Sequence, residues 1–334
     1  MNIFITGIAG FLGRHIAKRM NDLGHQVSGC DNLLGGEIEN IPNNCQFYEI
    51  DCCNFDEMTK ILNGIDIVYH CAATAHEGLS VFSPSFITKN IFEASVTTFS
   101  AACANNVKKI IYCSSMARYG EQKYPFTEDM SPQPVDPYGI AKVAAEKILE
   151  VLSNVHKINY TIAVPHNIVG PYQKYDDPYR NVMSIMLNRL MQNKPAIIYG
   201  DGSQTRCFSY VDDCVQCLEK IAFDEKTNNE IINIGPDENP ITIKELADLC
   251  SNEVGINLPH EYYEKGRPQE VKHATCSSNK ARKILDYKTK TNIKDSIKLT
   301  YQYIKTNGVK DFKYDKPLEI INDKTPLTWK NKSI

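Results

Sequence analysis

Apolar residues in the first half of the chain fall into short runs that are rich in β-branched side chains. These runs predict strands at 2–6, 26–30, 45–50, 65–73, 108–115 and 159–164. Amphipathic stretches separate them and predict helices, one directly after the first strand and others over about 84–105 and 138–154. This alternation is typical of βαβ units. It predicts an α/β fold with a Rossmann-type, doubly wound parallel sheet, which would bind its ligands at the carboxyl ends of the strands.

The pattern changes after about residue 171. Loops rich in glycine and tyrosine then separate predicted helices near 179–192, 211–222 and 242–254. We therefore expect a Rossmann domain over 1–171 and a smaller, mostly α-helical lobe over 172–330. Segments around 205–240 are expected to return to the first domain. The polar stretch 322–334 is expected to be loosely ordered.

Composition excludes several classes of protein. The 334 residues carry a formal net charge of -3, so nothing draws the chain towards nucleic acid or an anionic membrane. There is no run of 18 apolar residues, and the chain begins with a strand and a glycine turn where a signal peptide would have a basic leader. We expect a cytoplasmic protein that binds neither membrane nor nucleic acid.

The twelve cysteines do not suggest a disulfide framework or a metal site. Several, such as Cys71 and Cys113, lie in apolar runs where cysteine serves as a small hydrophobic residue. Cys214 and Cys217 form one C-x-x-C pair, but a zinc site needs a second pair or suitably spaced histidines. We interpret them as two cysteines on one helix and predict no metal.

The first strand runs directly into the sequence GIAGFLG, with Gly7, Gly10 and Gly13 in a G-x-x-G-x-x-G pattern. The first glycine permits a tight turn and the second lets the backbone approach a pyrophosphate. The third lets helix and strand pack closely. A lone glycine pattern is weak evidence, but a strand before it and a helix after it favour dinucleotide binding. The helix N-terminus would supply N–H groups to the phosphates.

The residues that end the next two strands indicate which dinucleotide is bound. Asp31 ends the second strand, where a carboxylate accepts hydrogen bonds from both ribose hydroxyls of NAD and would repel a 2′-phosphate. No arginine lies at 30–34 to accept such a phosphate, so NAD is predicted rather than NADP. Asp31 could instead belong to a simple turn. Asp51 could meet the adenine amino group or cap a helix.

Tyr138 and Lys142 in YGIAK lie four positions apart and would share one face of a helix. An ammonium group near a phenol stabilises the phenolate, so we expect Lys142 to lower the pKa of Tyr138 and make it a general base. Taken alone, the spacing fits a surface pair equally well. The dinucleotide motif and an upstream strand ending in two serines favour catalysis.

With these motifs the chain resembles an extended short-chain dehydrogenase/reductase of the nucleotide-sugar epimerase/dehydratase type, closest to the UDP-glucose (UDP-galactose) 4-epimerase type. The matching stretches run from Gly7 to about Lys280. They are TGIAGFLG, Asp31, HCAA (70–73), SSMARYG (114–120), YGIAK (138–142), PHNIVGP (165–171), GDGSQTRCFSYVDD (200–213) and GRPQEV (266–271). The resemblance implies NAD as cofactor and a nucleotide sugar bound in the lobe 172–330.

The resemblance also implies roles for individual residues. Ser115 matches the residue that bonds the sugar 4-hydroxyl, and Tyr138 and Lys142 match the base and its partner. Asn167 matches a residue that contacts the substrate diphosphate. Arg206 and Arg267 match arginines that bind its phosphates, which suits the planar guanidinium fork. Further cofactor contacts are expected from Phe11, Leu12, Asn32, Asp51, Cys52, Ala72, Ala73, Asn90 and Pro165, and further substrate contacts from Met116, Glu270 and Thr275.

Some positions depart from the pattern of the family. It often has arginine where this chain has Val164 and tyrosine where it has Val169, which affects the shape of the sugar pocket. Dehydratases of the family place an Asp-Glu pair, and decarboxylases a glutamate, where this chain has Met116 and Ala117. The role of Arg118 is not explained by the sequence, and it could simply lie at the surface of the loop.

These departures favour 4-epimerisation of a UDP-hexose. Tyr138 would take the proton from the 4-hydroxyl while C4 gives hydride to NAD, and the 4-keto sugar would turn and take hydride back on its other face. The alternatives are another sugar-modifying reaction of the family (decarboxylation, 4,6-dehydration or keto-sugar reduction) or a non-catalytic NAD-binding scaffold. In resembling epimerases the position of Thr275 lines the sugar pocket and is often a tyrosine. The smaller Thr275 would leave room for an N-acetyl group, so we expect that UDP-GlcNAc/UDP-GalNAc is also accepted.

The family also suggests how the chain assembles. The helices near 84–105 and 138–154 resemble those that pair with their copies in a dimeric four-helix bundle. Apolar residues such as Phe92, Phe99 and Ile148 suit such a bundle, although they could equally face the sheet. A homodimer is therefore expected.

Overall fold

The structure is a computed structural model that describes residues 1–263 and 266–334. Its strands in chain order are β1 (Asn2–Thr6), β2 (Gln26–Asp31), β3 (Gln46–Glu49), β4 (Ile67–His70), β5 (Lys109–Cys113), β6 (Asn159–Pro165), β7 (Ile168–Val169), β8 (Ile197–Tyr199), β9 (Thr205–Arg206), β10 (Ser209–Tyr210), β11 (Glu230–Ile234), β12 (Ile241–Thr242), β13 (Glu261–Tyr263) and β14 (His273–Ala274).

Its α-helices are α1 (Phe11–Asp22), α2 (Phe55–Ile61), α3 (Glu77–Ser80), α4 (Pro84–Thr88), α5 (Ala94–Ala104), α6 (Pro137–His156), α7 (Val182–Met191), α8 (Val211–Phe223), α9 (Ile243–Val254), α10 (Asn279–Leu285), α11 (Ile293–Asn307) and α12 (Leu327–Lys330). A π-helical turn, Lys89–Glu93, joins α4 to α5. The helix predicted over 84–105 is therefore one continuous rod with a π-helical turn inside it.

Seven parallel strands form the main sheet in the order β11-β6-β5-β4-β1-β2-β3. The six predicted strands of the first half are all present, and the Rossmann-type architecture is confirmed. The chain order reverses between β1 and β4, where a crevice opens at the carboxyl ends of the strands. One core cluster joins the sheet to α1 and α8, and a second joins its other face to α2, α5 and α6.

The second half of the chain divides between this sheet and a smaller lobe. Strand β11 is the edge of the main sheet, and α8 packs on α1. Helices α7, α9 and α11 pack together around a separate core that includes Met186, Leu190 and Leu246. Short strands link the loops of this lobe, with β8 paired to β13 and β9 placed between β12 and β14.

The expectation that the stretch 322–334 is loosely ordered is wrong, because its aromatic residue is anchored in the protein. Trp329 is buried and packs edge-on against Phe82 and Tyr179, with ring centroids 5.9 and 5.2 Å away. The carboxylate of Glu319 accepts hydrogen bonds from the backbone N–H groups of Ser85 and Phe86 at the start of α4. An apolar aromatic anchor thus offsets the polar composition of the segment.

Two further features concern the surface and the cysteines. Among the helices of the described residues, none is long and apolar enough to cross a membrane. Cys214 and Cys217 both lie on α8 and are buried in the core, as the interpretation of two cysteines on one helix predicts.

Candidate active site

A cavity of about 480 Å³ lies where the carboxyl ends of the sheet meet the second lobe. Of the residues predicted for the site, those that line it are Gly7, Gly10, Phe11, Leu12, Gly13, Asp31, Asn32, Asp51, Cys52, Ala72, Ala73, Asn90, Ser115, Tyr138, Lys142, Pro165, Asn167, Arg206, Arg267 and Glu270. The fold therefore brings almost all of them to a single cavity, although they are spread over some 260 positions of the sequence.

The glycine loop between β1 and α1 has the geometry that a pyrophosphate requires. Gly7 has a φ of +72°, and a Cβ at this position would lie 2.9 Å from the backbone nitrogen of Ala72. A Cβ on Gly13 would lie 2.1 Å from the carbonyl oxygen of Gly7, so only glycine lets α1 start this close to β1. The N-terminus of α1 then faces the cavity without a side-chain cap. This cradle fits the phosphates of a dinucleotide.

Asp31 ends β2 and supports the glycine loop from beside it. Its carboxylate accepts hydrogen bonds from the backbone N–H groups of Ala9 at 3.2 Å and Leu33 at 2.8 Å. Burial raises the pKa of Asp31, and these backbone hydrogen bonds oppose the rise. A carboxylate held in this way beside the loop is placed to accept ribose hydroxyls.

Asp51 follows β3 and does not cap a helix. Its carboxylate accepts from the backbone N–H of Cys53 at 2.9 Å, and the side-chain amide of Asn32 lies 3.3 Å from it. The N-cap of α2 is Asn54, whose side chain accepts from the N–H of Glu57. The capping alternative is therefore wrong, and Asp51 instead lines the cavity near the end of β2.

Tyr138 and Lys142 lie on the first turns of α6 and line the cavity together with Ser115. The helix starts where it does because Pro137 occupies its first position and the Asp136 carboxylate accepts from the N–H of Gly139 at 2.8 Å. The ammonium of Lys142 donates to the carbonyl of Cys113 at 2.8 Å and lies 4.9 Å from the centre of the Tyr112 ring. Burial lowers the pKa of Lys142 to about 8.

The expected lowering of the Tyr138 pKa is wrong for this structure. Burial raises the pKa of Tyr138 well above its ordinary value, and the carboxyl groups of Glu77 and Asp136 raise it further. A hydrogen bond with Ser115 and the charge of Arg180 oppose the rise. Ser115 and Arg180 therefore favour the phenolate.

The two predicted phosphate arginines line one side of the cavity. Arg206 donates to the carbonyl oxygens of Val271 at 2.7 Å and Lys272 at 3.2 Å, which ties it to the loop that carries Arg267. Arg267 donates to the carboxylate of Glu270 at 2.6 Å, and its guanidinium lies 5.5 Å from the centre of the Tyr199 ring. Both guanidinium groups are held in place by the protein before any ligand binds.

Asn167 also lines the cavity and has a left-handed backbone conformation, with φ at +45°. Its side-chain amide donates to the carbonyl of Cys207 at 2.9 Å. Asparagine adopts this conformation more readily than most residues, which explains an amide at this sharp turn between β6 and β7.

Two predicted substrate residues do not reach the cavity. Thr275 is buried, its carbonyl accepts from the N–H of Phe126 at 2.8 Å, and its hydroxyl faces Cys207 at 4.0 Å. Met116 lies behind Asn167, with its sulfur 3.7 Å from the Asn167 amide nitrogen. Among the residues described, neither belongs to the cavity wall. The size of Thr275 therefore gives no structural reason to expect an N-acetyl sugar.

Arg118 is not a surface residue of the loop. It is 1% exposed and forms a buried ion pair with Glu146, four residues beyond Lys142 on α6. The hydroxyl of Ser114 bonds the same carboxylate. The turn that carries Ser115 is therefore joined to the helix that carries Tyr138 and Lys142.

Several cavity residues belong to no motif and were not predicted from the sequence. They are His76, Glu77, Asp136, Arg180, Lys316 and Trp329. A usable signal existed for the first two, because the loop that follows β4 must open at the same edge of the sheet as the loops after β1 and β5. Nothing in the sequence placed Lys316 or Trp329 there, since a tail can return to any surface.

The model of the NAD dependent epimerase/dehydratase family matches residues 3–235 of the chain. The chain belongs to this family. The dinucleotide cradle described above is the site that fits NAD, the cofactor of this family.

Relatives differ in the reaction and the sugar that their names record. The chain is 27% identical over 318 residues to a UDP-glucuronate 4-epimerase of Thermodesulfobacterium geofontis, covering 91% of this chain and 96% of that one. It is 29% identical over 322 residues to a UDP-N-acetyl-alpha-D-glucosaminuronate decarboxylase of Bacillus cytotoxicus, covering 90% and 97%. These names leave the substrate of this chain undetermined.

A solved structure with a similar fold is that of UDP-glucose 4-epimerase from Thermotoga maritima with UDP-glucose. It has a TM-score of 0.87 and 31% sequence identity, and the match covers 92% of this chain and 99% of that chain. This chain therefore contains residues that have no counterpart in the Thermotoga maritima protein.

Proposed function

We propose that the protein interconverts the C4 epimers of a UDP-hexose, UDP-glucose and UDP-galactose in the first place, with bound NAD. The observation that carries the proposal is that Ser115, Tyr138 and the two arginines, Arg206 and Arg267, share one cavity with the dinucleotide cradle. A diphosphate held by the arginines would extend its sugar towards Tyr138.

The residues of the chain have distinct roles in this reaction. Tyr138 removes the proton of the 4-hydroxyl and later returns it, and Ser115 hydrogen-bonds the same oxygen. NAD, when bound, supplies the acceptor and donor for the hydride at C4. Arg206 and Arg267 hold the diphosphate while the sugar turns, because their guanidinium groups are already fixed by the loop 266–272.

The turn after β5 favours epimerisation over the other reactions of the family. Dehydration needs an acid and a base near C5 and C6, and the family places them at the positions of Met116 and Ala117. The cavity does contain the carboxyl groups of Glu77 and Asp136, which lie on other elements. Asp136 is already engaged as the N-cap of α6. Dehydration and decarboxylation therefore stay as outcomes that the experiment must distinguish.

The test is to incubate the purified protein with UDP-glucose, UDP-galactose, UDP-GlcNAc and UDP-glucuronate and to identify products by NMR and mass spectrometry. An epimer of unchanged mass, formed without a lasting change in absorbance at 340 nm, supports the proposal. Loss of water or carbon dioxide from the sugar contradicts it, and so does consumption of added NADH. Conversion of UDP-GlcNAc would restore the N-acetyl hypothesis, now without support from Thr275.

We also propose a homodimer formed through α6 and the helical rod 84–104. Ile140, Val151 and Val155 are exposed by 54%, 59% and 66%, and their spacing places them on one face of α6. Phe99, by contrast, is fully buried against His70 and Tyr112 and faces the sheet. A Val151→Glu, Val155→Glu variant should run as a monomer in light scattering, whereas an unchanged mass would exclude this face.

A further inference from the structure

Glu77 places a carboxyl group in the cavity that belongs to no motif of the sequence. It begins the short helix α3, seven residues beyond the carboxyl end of β4, and it lines the cavity wall. Its neighbour Gly78 lies close to two other wall residues, since a Cβ there would be 3.4 Å from the Arg267 guanidinium and 3.5 Å from the Trp329 ring. Helix α3 is thus part of the substrate end of the cavity.

Several charged groups around this end form ion pairs with one another, whereas Glu77 does not. Arg267 is paired with Glu270 at 2.6 Å, Lys316 with Asp315 at 2.6 Å, and His76 with Asp177 at 2.7 Å. Arg180 lies 4.0 Å from Asp177 as well. Within residues 1–263 and 266–334, the carboxyl of Glu77 makes neither a hydrogen bond nor an ion pair.

The carboxyl of Glu77 opens onto the cavity, where solvent or a ligand can reach it. Burial raises the pKa of Glu77 to about 7, and the nearby Asp136 raises it while Arg206 and Arg267 lower it. Glu270, which lies in the loop 266–271, also raises the pKa of Glu77. A ligand that fills the cavity displaces this solvent, and it avoids the cost of leaving a buried polar group unpartnered only if it supplies Glu77 with a hydrogen bond.

Glu77 shares the cavity wall with Tyr138 and the two arginines, and its neighbour Gly78 lies beside Arg267. It is close enough to Tyr138 to influence the charge of the phenol, and close enough to Arg206 and Arg267 to be influenced by them. In the proposed reaction Tyr138 meets O4 and the arginines meet the diphosphate on C1. A carboxyl group on the same wall would meet the part of the sugar that lies between O4 and C1 in this binding mode.

We propose that Glu77 is a specificity-determining residue that accepts a hydrogen bond from the hydroxyl or amide N–H at C2 or C3 of the sugar and disfavours sugars that carry a carboxylate. This inference rests on the proposed function. The disfavour follows because the ionised carboxylate of Glu77 would repel a second carboxylate held in the same cavity.

The test compares kcat/KM of the wild-type protein, Glu77→Ala and Glu77→Gln on UDP-glucose and on its 2-deoxy, 3-deoxy and 6-deoxy analogues. Glu77→Ala should lose about 10- to 100-fold on UDP-glucose, as expected for a hydrogen bond to a charged group. On one analogue, 2-deoxy or 3-deoxy, Glu77→Ala and wild type should agree within about twofold, because the partner hydroxyl is gone. Glu77→Gln keeps an acceptor and should lose less than Glu77→Ala.

The same variants test the exclusion of uronic acids. The ratio of kcat/KM for UDP-glucuronate to kcat/KM for UDP-glucose should be about tenfold higher in Glu77→Gln than in the wild type. It should also fall in the wild type as the pH rises through about 7, because Glu77 then becomes ionised, and this fall should vanish in Glu77→Gln. The exposed Glu121→Ala serves as the control and should behave as the wild type.

The inference is overturned if Glu77→Ala retains wild-type activity on UDP-glucose, or if its loss is the same on all analogues or is relieved only by the 6-deoxy one. Failure of the proposed function looks different, because the wild type would then convert no UDP-hexose. In that case calorimetric binding of UDP-glucose and its deoxy analogues to wild type and Glu77→Ala still decides whether Glu77 contacts the sugar. NAD content and circular dichroism verify that each variant is folded.

Discussion

The guanidinium of Arg118 holds both carboxylate oxygens of Glu146, with Nε 3.1 Å from Oε1 and 3.2 Å from Oε2, and Nη2 3.0 Å from Oε2. Both side chains are buried, at 1% and 0% exposure. The pair connects the turn after β5, which presents Ser115, to the helix that presents Tyr138. This buried ion pair therefore helps to fix the relative position of these two site residues.

Removing one partner of this pair should be costly. In Arg118→Ala the Glu146 carboxylate would lie buried and uncompensated, so we expect a loss of about 3–5 kcal/mol in stability. Arg118→Met with Glu146→Gln leaves no buried charge and should recover much of that loss. The midpoints of denaturant unfolding, measured with NAD bound, give the comparison.

The activity of the same variants separates positioning from stability. If the pair positions Ser115, the double variant should be nearly as stable as the wild type and still have a lower kcat at an unchanged KM. Equal kcat in the double variant and the wild type would mean that the pair contributes to stability alone.

The fold could be predicted from the sequence because its signals are local. Each strand of the first half is a short apolar run, and the glycine loop shows where the dinucleotide binds, since only glycine can occupy positions such as Gly7. Arg118 and Glu77 escaped prediction because their partners are distant along the chain. A pairing between residues 118 and 146, or between residue 77 and the loop at 267, follows from tertiary packing and leaves no pattern in either segment.

Tyr138→Phe is expected to reduce kcat by about 10²- to 10⁴-fold or more, because it removes the only atom that could exchange the proton of the sugar 4-hydroxyl in this scheme. NAD content, measured after denaturing the protein, should remain that of the wild type. The exposed Tyr262→Phe is a matched control and should keep full activity. Substantial turnover by Tyr138→Phe would show that another group acts as the base.

His70 should make the protein sensitive to acid. Its ring is fully buried between Thr6 and Ser95, with ring nitrogens 2.8 and 2.9 Å from their hydroxyl oxygens. Burial lowers the pKa of His70 to about 3. Between that value and the ordinary histidine pKa near 6.5, the unfolded chain binds a proton that the folded protein does not, so stability falls as the pH falls through this window.

The slope of this loss is about 1.4 kcal/mol per pH unit for one proton. His70→Gln keeps a polar side chain but cannot bind this proton. Between pH values of about 6.5 and 4, we expect its free energy of unfolding to depend less steeply on pH than that of the wild type, by that amount. His156 is exposed at the end of α6, and His156→Gln should leave the dependence unchanged. The same slope in His70→Gln and wild type would mean that His70 is protonated in the folded protein.

The C-terminal stretch 322–334 contributes Trp329 to the wall of the substrate cavity. Shortening this side chain should weaken substrate binding more than catalysis. Trp329 lines the cavity, and Thr328 bonds the hydroxyl of Tyr199, whose ring lies beside Arg267. None of these residues reaches Tyr138 by a hydrogen bond among those described. Trp329→Ala should therefore raise KM for the UDP-hexose about tenfold, the effect of about 1.4 kcal/mol of lost ground-state contact, and change kcat by less than about threefold. Leu327→Ala removes an exposed side chain from the same short helix and should change neither constant. A fall in kcat at constant KM would mean that Trp329 instead orients the reacting groups.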